Sequence, residues 1–237
     1  MFRDVMPFEQ AGRQARVGRA GQTKELPGVL SKVESRLAKG GVVLDPMLDT
    51  ITGQQTETTA LFERRVTQRI GNNYPQFEFL PFQPQNLAHA QYLLTGTMSR
   101  EPGAIGKTAL RLSLALTDLR SGLVVAQASA LAKEENLDGT PSPYYKDSPV
   151  LIKDKVVEGY AKTTATAVGQ RADPYYMERI GAASVISEAT SLYNAEKYQD
   201  ALGQYRTALS TPQGAQLRAE SGVYLSNMKL GRTAEAE

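Results

Sequence analysis

Gly106-Lys107-Thr108 is the tripeptide that closes a phosphate-binding P-loop, in which successive backbone N–H groups curl around phosphate oxygens. That loop needs a glycine five residues before the Gly-Lys pair, and the residue there is Glu101, whose carboxylate would face the phosphates. The loop must also open a helix. Instead Leu110, Leu112, Leu114 and Leu116 alternate with Arg111, Ser113 and Ala115, the period-two pattern of a half-buried strand. The segment is therefore read as a hairpin connection between two strands, and nucleotide binding is rejected.

Two carboxylates, Asp45 and Asp49, stand near the end of the first strand, where catalytic groups often sit and paired carboxylates could perform acid–base work. Asp-Pro and Asp-Thr at a strand end are also ordinary turn chemistry, which is the reading adopted. The single histidine, His89, follows Pro84 in a short helical stretch and is read as a surface residue. With no cysteine, thiol nucleophiles, disulfides and thiolate zinc sites are excluded. No catalytic residue, metal site or cofactor is expected, and the chain is read as no enzyme.

Composition agrees. At 41% hydrophobic and 22% charged residues, the 237-residue chain is that of a folded protein with one large core or two smaller ones. No apolar run approaches the ~18 residues of a membrane span. Net charge is +2, and residues 1–24 hold five basic against two acidic side chains, leaving −1 for the remainder. A near-neutral body carries no nucleic-acid footprint, and residues 1–24 read as a flexible basic arm.

The elements that position these residues follow from periodicity. An amphipathic helix carries Val29, Leu30, Val33 and Leu37, and a short buried strand is stopped by Pro46. A second helix places Phe62, Val66 and Ile70 on one face and ends at Gly71. Strands are predicted at 77–82, at "QYLLTGTMS" and in two alternating halves split at Asp118-Leu-Arg-Ser-Gly122. Prolines 141, 143 and 149 make 136–154 a long loop, whose adjacent Tyr144 and Tyr145 either anchor a partner or cover the core edge. A helix after Asp154 buries Val157, Tyr160, Ala161, Thr164 and Val168, and Asp173-Pro174 caps a new element. The fold class is α+β, a mixed β-sheet with helices packed on it over residues 25–170, followed by an all-α segment over 171–237.

"GGVVLDPMLD", "FEFLPF", "AQYLLTGTM" and "LRLSLALTDLRSGLVV" occur here in the order seen in a known family. Over residues 38–170 the chain resembles the periplasmic domain shared by the curli-secretion lipoprotein CsgG, the penicillin-binding-protein activator LpoB and the TolB N-terminal domain. From Ala182, residues Val185, Ala189, Leu192, Tyr198, Ala201, Leu202, Tyr205, Ala208, Leu209 and Pro212 follow the small–large pattern of a tetratricopeptide repeat. If the repeat follows its family, Ile186, Ser187, Thr190, Tyr193 and Asn194 line a concave partner-binding surface. A second copy starts near Leu217, so the native protein is expected to continue beyond Glu237, with an OmpA-like peptidoglycan-binding module following. The resemblance implies a periplasmic, outer-membrane-associated lipoprotein fragment with a lipid anchor upstream and other envelope proteins as partners. The alternative it implies is a homo-oligomeric structural subunit of a secretion or surface-appendage apparatus.

Overall fold

A computed structural model describes residues 40–102, 108–133, 137–148 and 153–236. The basic arm, the helix carrying Val29 to Leu37, residues 103–107 of the Gly-Lys-Thr segment and residues 149–152 of the proline-rich loop lie outside the described residues. Strand β1 (Gly40–Leu44) stops before Pro46, and the two-residue β2 (Leu48–Asp49) resumes the same line of the sheet. Helix α1 (Glu57–Asn73) starts with a reciprocal cap: Thr59 N–H donates to Thr56 Oγ1 at 3.2 Å and Thr56 N–H to Thr59 Oγ1 at 2.9 Å. The expected stop at Gly71 is not observed. The helix runs on to Asn73, because a lone exposed glycine costs only ~1 kcal/mol, and Pro75 bars helical geometry at the residue before it.

Strand β3 (Phe77–Pro81) and the short helix α2 (Pro84–Leu87) lead to three long strands, β4 (Tyr92–Pro102), β5 (Thr108–Asp118) and β6 (Val124–Lys133). The sheet is mixed, in the order β3-β1-β4-β5-β6, with β2 also pairing β4. The strands β3, β1 and β4 are mutually parallel, and β4-β5-β6 form an antiparallel meander. Pro102 pairs with Thr108, as the hairpin reading of the Gly-Lys-Thr region requires. At the second hairpin Asp118 Oδ1 accepts from Ser121 N–H at 2.7 Å and Oγ–H at 2.9 Å, and Gly122 takes φ 69°.

Pro46 leaves a gap in the sheet where neither β1 nor β2 reaches Gly96 of β4. The hydroxyl of Tyr160 fills it, accepting from Gly96 N–H at 2.8 Å and lying 2.7 Å from the Gly96 carbonyl and 3.1 Å from that of Pro46. Tyr160 belongs to helix α4 (Lys155–Ala165), capped by Asp154, which accepts from Val156 and Val157 N–H. Of the stripe expected on this helix, Val157, Tyr160 and Thr164 are buried, but Val168 lies beyond the helix end and is 56% exposed. Alternation along the strands separates two cores. Val42, Tyr92, Leu94, Met98, Leu110 and Leu114 face α1 through Phe62, whereas Val43 and Leu93 face α4.

The chain then becomes helical. Asp173 caps α5 (Pro174–Met177) through Tyr176 N–H, as its Asp-Pro start predicts. Helices α6 (Ile180–Asn194), α7 (Tyr198–Leu209) and α8 (Leu217–Lys229) follow, with α6 packed on α7 and α7 on α8. Ala189, Ala201 and Ala208 are fully buried where the helices approach. The approach of α8 is closer still, since a Cβ on Gly222 would clash with the Tyr205 ring. Gly222→Ala is therefore expected to cost about 1–3 kcal/mol, whereas Gly203→Ala, on an exposed site of α7 with nothing within 4 Å, should gain about 0.5–1 kcal/mol. Denaturant midpoints of the two variants against wild type check both signs.

Candidate functional site

The helix face on which the resemblance places a partner groove is covered by the chain itself. The proline-rich loop contains a five-residue helix, α3 (Pro143–Asp147), which sequence reading missed, and this helix lies against α6. Pro143 pre-sets the first helical φ, and the missing N–H is one the first turn cannot use in any case. So short a helix has no stability of its own. Its side chains hold it in place.

Tyr144 and Tyr145 are buried, 1% and 7% exposed, so of the two alternatives for this pair it is the core-covering one that holds. As partner-binding residues they are corrected: both belong to one cluster with Ile186, Ala189, Tyr193, Ala201, Tyr205, Ala208, Ala219 and Leu225. The ring of Tyr144 stacks on Tyr205 with centroids 6.0 Å apart and meets Tyr193 edge-on at 5.8 Å. Its backbone N–H donates to Asn194 Oδ1 at 2.8 Å, and its hydroxyl donates to the Arg218 carbonyl at 2.6 Å. Asp147 Oδ2 accepts from Tyr193 O–H and pairs with Lys229 Nζ, both at 2.9 Å. Lys229 and Tyr193 together hold the Asp147 carboxyl below its ordinary pKa, against the opposing effect of its partial burial.

The other groove residues are placed by the same packing. Ile186 and Tyr193 are buried in the cluster, and Thr190 is buried with Oγ1 3.0 Å from Tyr205 O–H. Ser187 and Asn194 are half-buried, with Asn194 engaged by the backbone of Tyr144. Ile186, Thr190 and Tyr193 are therefore corrected as an open contact surface: α3 and the neighbouring helices cover them. No feature of a single helix period reveals which segment will fill its groove.

Where α3, α4 and α8 meet, Gly53, Tyr145, Asp154 and Arg218 are among the residues lining a cavity of about 20 Å³, which is of water size. The charge of the Arg218 guanidinium acts on both Tyr145 and Asp45. Asp45, 5% exposed, accepts from Tyr176 O–H at 2.6 Å. Burial pushes its pKa up to about 6, against the lowering effects of Arg218 and the Tyr176 bond. Glu63 of α1, which accepts from Met47 N–H, is pushed up to about 7, first by burial, and further by the nearby Asp45 carboxylate. Asp49 does turn work instead, accepting from Ile51 and Thr52 N–H at 2.9 Å each. The carboxylate that interacts with Asp45 is therefore Glu63, a partner sequence spacing does not reveal. His89 is exposed, and Glu101 is ion-paired with Arg111 across β4 and β5. Among the described residues no group of three or more potential ligands could hold a metal ion, and no helix is long and apolar enough to cross a membrane.

Two expectations follow. Tyr144→Phe, which loses the bond to the Arg218 carbonyl, should cost about 1 kcal/mol. Tyr144→Ala, which empties the centre of the cluster, should cost about 3–5 kcal/mol, and urea titrations separate them. Glu63 ionises near its ordinary value when unfolded but near 7 when folded, so the folded state holds the extra proton and its stability falls as pH rises from about 4 to 7. Glu63→Gln keeps an acceptor for Met47 and removes that fall. Its stability relative to wild type should rise across this window by about 1–3 kcal/mol, read from unfolding at pH 4 and pH 8.

No family model matches the chain, and no curated protein matches it. Among solved structures it is similar to a PelC dodecamer from Paraburkholderia phytofirmans, at 14% identity and TM-score 0.30 over 40% of this chain and 71% of that one. It is also similar to the LpoB C-terminal domain from Salmonella enterica, at 15% identity and TM-score 0.29 over 45% of this chain and 97% of that one. Lipoprotein GNA1162 from Neisseria meningitidis gives 16% identity and TM-score 0.28 over 41% of this chain and 82% of that one. Likenesses of this size assign no function to the chain.

Proposed function

We propose that this chain is a non-enzymatic interaction module of a cell-envelope lipoprotein, docking other envelope proteins through its helical end. The envelope assignment draws on the resemblance of residues 38–170 to periplasmic lipoprotein domains, and the helices act as a tetratricopeptide-like unit. One observation carries the docking surface. Leu217, Tyr224 and Met228 of α8 are 36%, 40% and 42% exposed and fall within about 40° of one another around the helix. Tyrosine and methionine are enriched where proteins meet, and repeat helices bury such stripes against a neighbouring element.

A partner approaching this stripe finds a rigid platform, because the opposite side of α8 is locked onto Tyr205 through Gly222. A second reading, an oligomerising structural subunit of a secretion or appendage apparatus, is favoured by a different feature, the outer edge of β6. In the docking reading, immobilised wild-type protein retains specific envelope proteins, and the double variant Tyr224→Glu, Met228→Glu loses them. Both positions are exposed, so the double variant should unfold within about 1 kcal/mol of wild type. Equal retention by wild type and the double variant would overturn the reading.

A further inference from the structure

The two edges of the sheet differ in how they are protected. Strand β3, at one edge, spans Phe77–Pro81 and carries Glu78 and Pro81, a charge and a residue that cannot extend a ladder. Strand β6, at the other, runs from Val124 to Lys133 and carries neither proline, glycine nor any charged residue before Lys133. Its first residue is closed off: Val124 N–H donates to the Gln170 carbonyl and its own carbonyl accepts from Gly169 N–H. Next to it the pairing with β5 is irregular at Leu116/Thr117, which leaves Val125 as a bulge. From Ala126 to Ala132 the strand is regular. Among the described residues, its backbone there bonds only to β5.

We infer that the stretch Ala126–Ala132 pairs antiparallel with the same stretch of a second copy of this chain, about a two-fold axis through Ser129. A free ladder edge is chemically specific, because its outward N–H and C=O groups are matched only by another extended backbone. Charge selects the second copy as occupant. In a two-fold pairing every residue meets a residue of its own strand, and like charges placed opposite repel. A stretch with no charged side chain has none to oppose.

The register follows from the boundaries. The bulge and the 169–171 turn exclude residues before Ala126, and Lys133 ends the uncharged run, so the only register that uses the whole stretch centres on Ser129. It sets Ala126 opposite Ala132, Gln127 opposite Leu131 and Ala128 opposite Ala130. Each pair lies on one face of the joined sheet, as the pleat demands. The alanines lie on the same face as Leu112, Leu114 and Leu116 of β5, since Leu112 pairs with Ala130, Leu114 with Ala128 and Leu116 with Ala126. Joining two copies would therefore align two leucine rows, Leu112, Leu114 and Leu116 of each copy, on one face of the joined sheet. On the other face Gln127, Ser129 and Leu131 are exposed, with Gln127 Nε2 donating to the Thr164 carbonyl.

The chain has no cysteine, so one introduced thiol reports the register without background. Opposed residues of an antiparallel pair have Cα atoms about 4.5–5.5 Å apart, within disulfide reach. Under mild oxidation Ser129→Cys should yield a covalent dimer, while Gln127→Cys, whose two copies are offset by four positions, should not. Sedimentation of wild type should show a monomer–dimer equilibrium that Ser129→Lys shifts to monomer, with its melting temperature unchanged at dilutions where both proteins are monomeric, because the site is exposed. A monomer at every attainable concentration, a dimer that survives Ser129→Lys, or cross-linking no greater at 129 than at 127 would overturn the inference. The pairing goes beyond the docking reading and is separable from it: Tyr224→Glu, Met228→Glu should still dimerise.

Discussion

Burial of one side chain, Tyr144, ties the molecule together. Its ring sits among Tyr145, Tyr193 and Tyr205, its N–H is bound by α6 and its hydroxyl by the backbone of α8. A tyrosine can fill such a place because its apolar body contributes packing while its polar tip finds an acceptor, so that no buried polar group is left bare. The segment carrying it comes from the sheet half of the chain: residues 138 and 140 are bonded to the start of α1 and Ser142 N–H to Gln55. Removing the anchor would therefore affect more than a loop, since the strap joins the start of α1 to three helices far along the chain.

A second coupling runs beneath the first. Pro46 interrupts the sheet, and the exposed ladder groups of Gly96 are satisfied by the hydroxyl of Tyr160. Tyr160 packs edge-on against Tyr176, whose hydroxyl binds Asp45, the residue just before that proline. The break in the strand thus becomes the place where α4 and α5 attach. The same burial raises the pKa of Asp45 and Glu63, and nothing about this requires catalysis. Two carboxyls close together in a poorly solvated pocket resist ionising together, whatever their role.

The hairpins and long strands were legible because their signals are local. Asp118 and Gly122 encode the turn through a side-chain acceptor and a left-handed backbone, and Leu110 to Leu116 encode one buried face. The cap at Asp173 and the small residues between α6 and α7 were legible for the same reason. Helix α3 was not, because proline spacing argues for a loop and its helical turn exists only through burial of its tyrosines. Nor could the helical pattern say that Ile186, Thr190 and Tyr193 face a segment of their own chain. Composition marks a groove as apolar, while its occupant is fixed by contacts some 50 residues away, such as that between Tyr144 and Asn194.

Occupation of the groove from within changes where this molecule can be gripped. An open groove between paired helices would offer an extended peptide a preformed cleft, but displacing α3 would first have to break its bonds to Asn194, Arg218, Tyr193 and Lys229 and uncover two tyrosines. A foreign peptide would need to exceed an intramolecular ligand whose effective concentration is set by a short tether. Among the described residues, the outer stripe of α8 and the edge of β6 carry no such cover. These differ in kind, since side chains define the first and backbone the second. The first would select a partner by shape and the second by extended conformation, so the two proposed contacts would not compete for one surface.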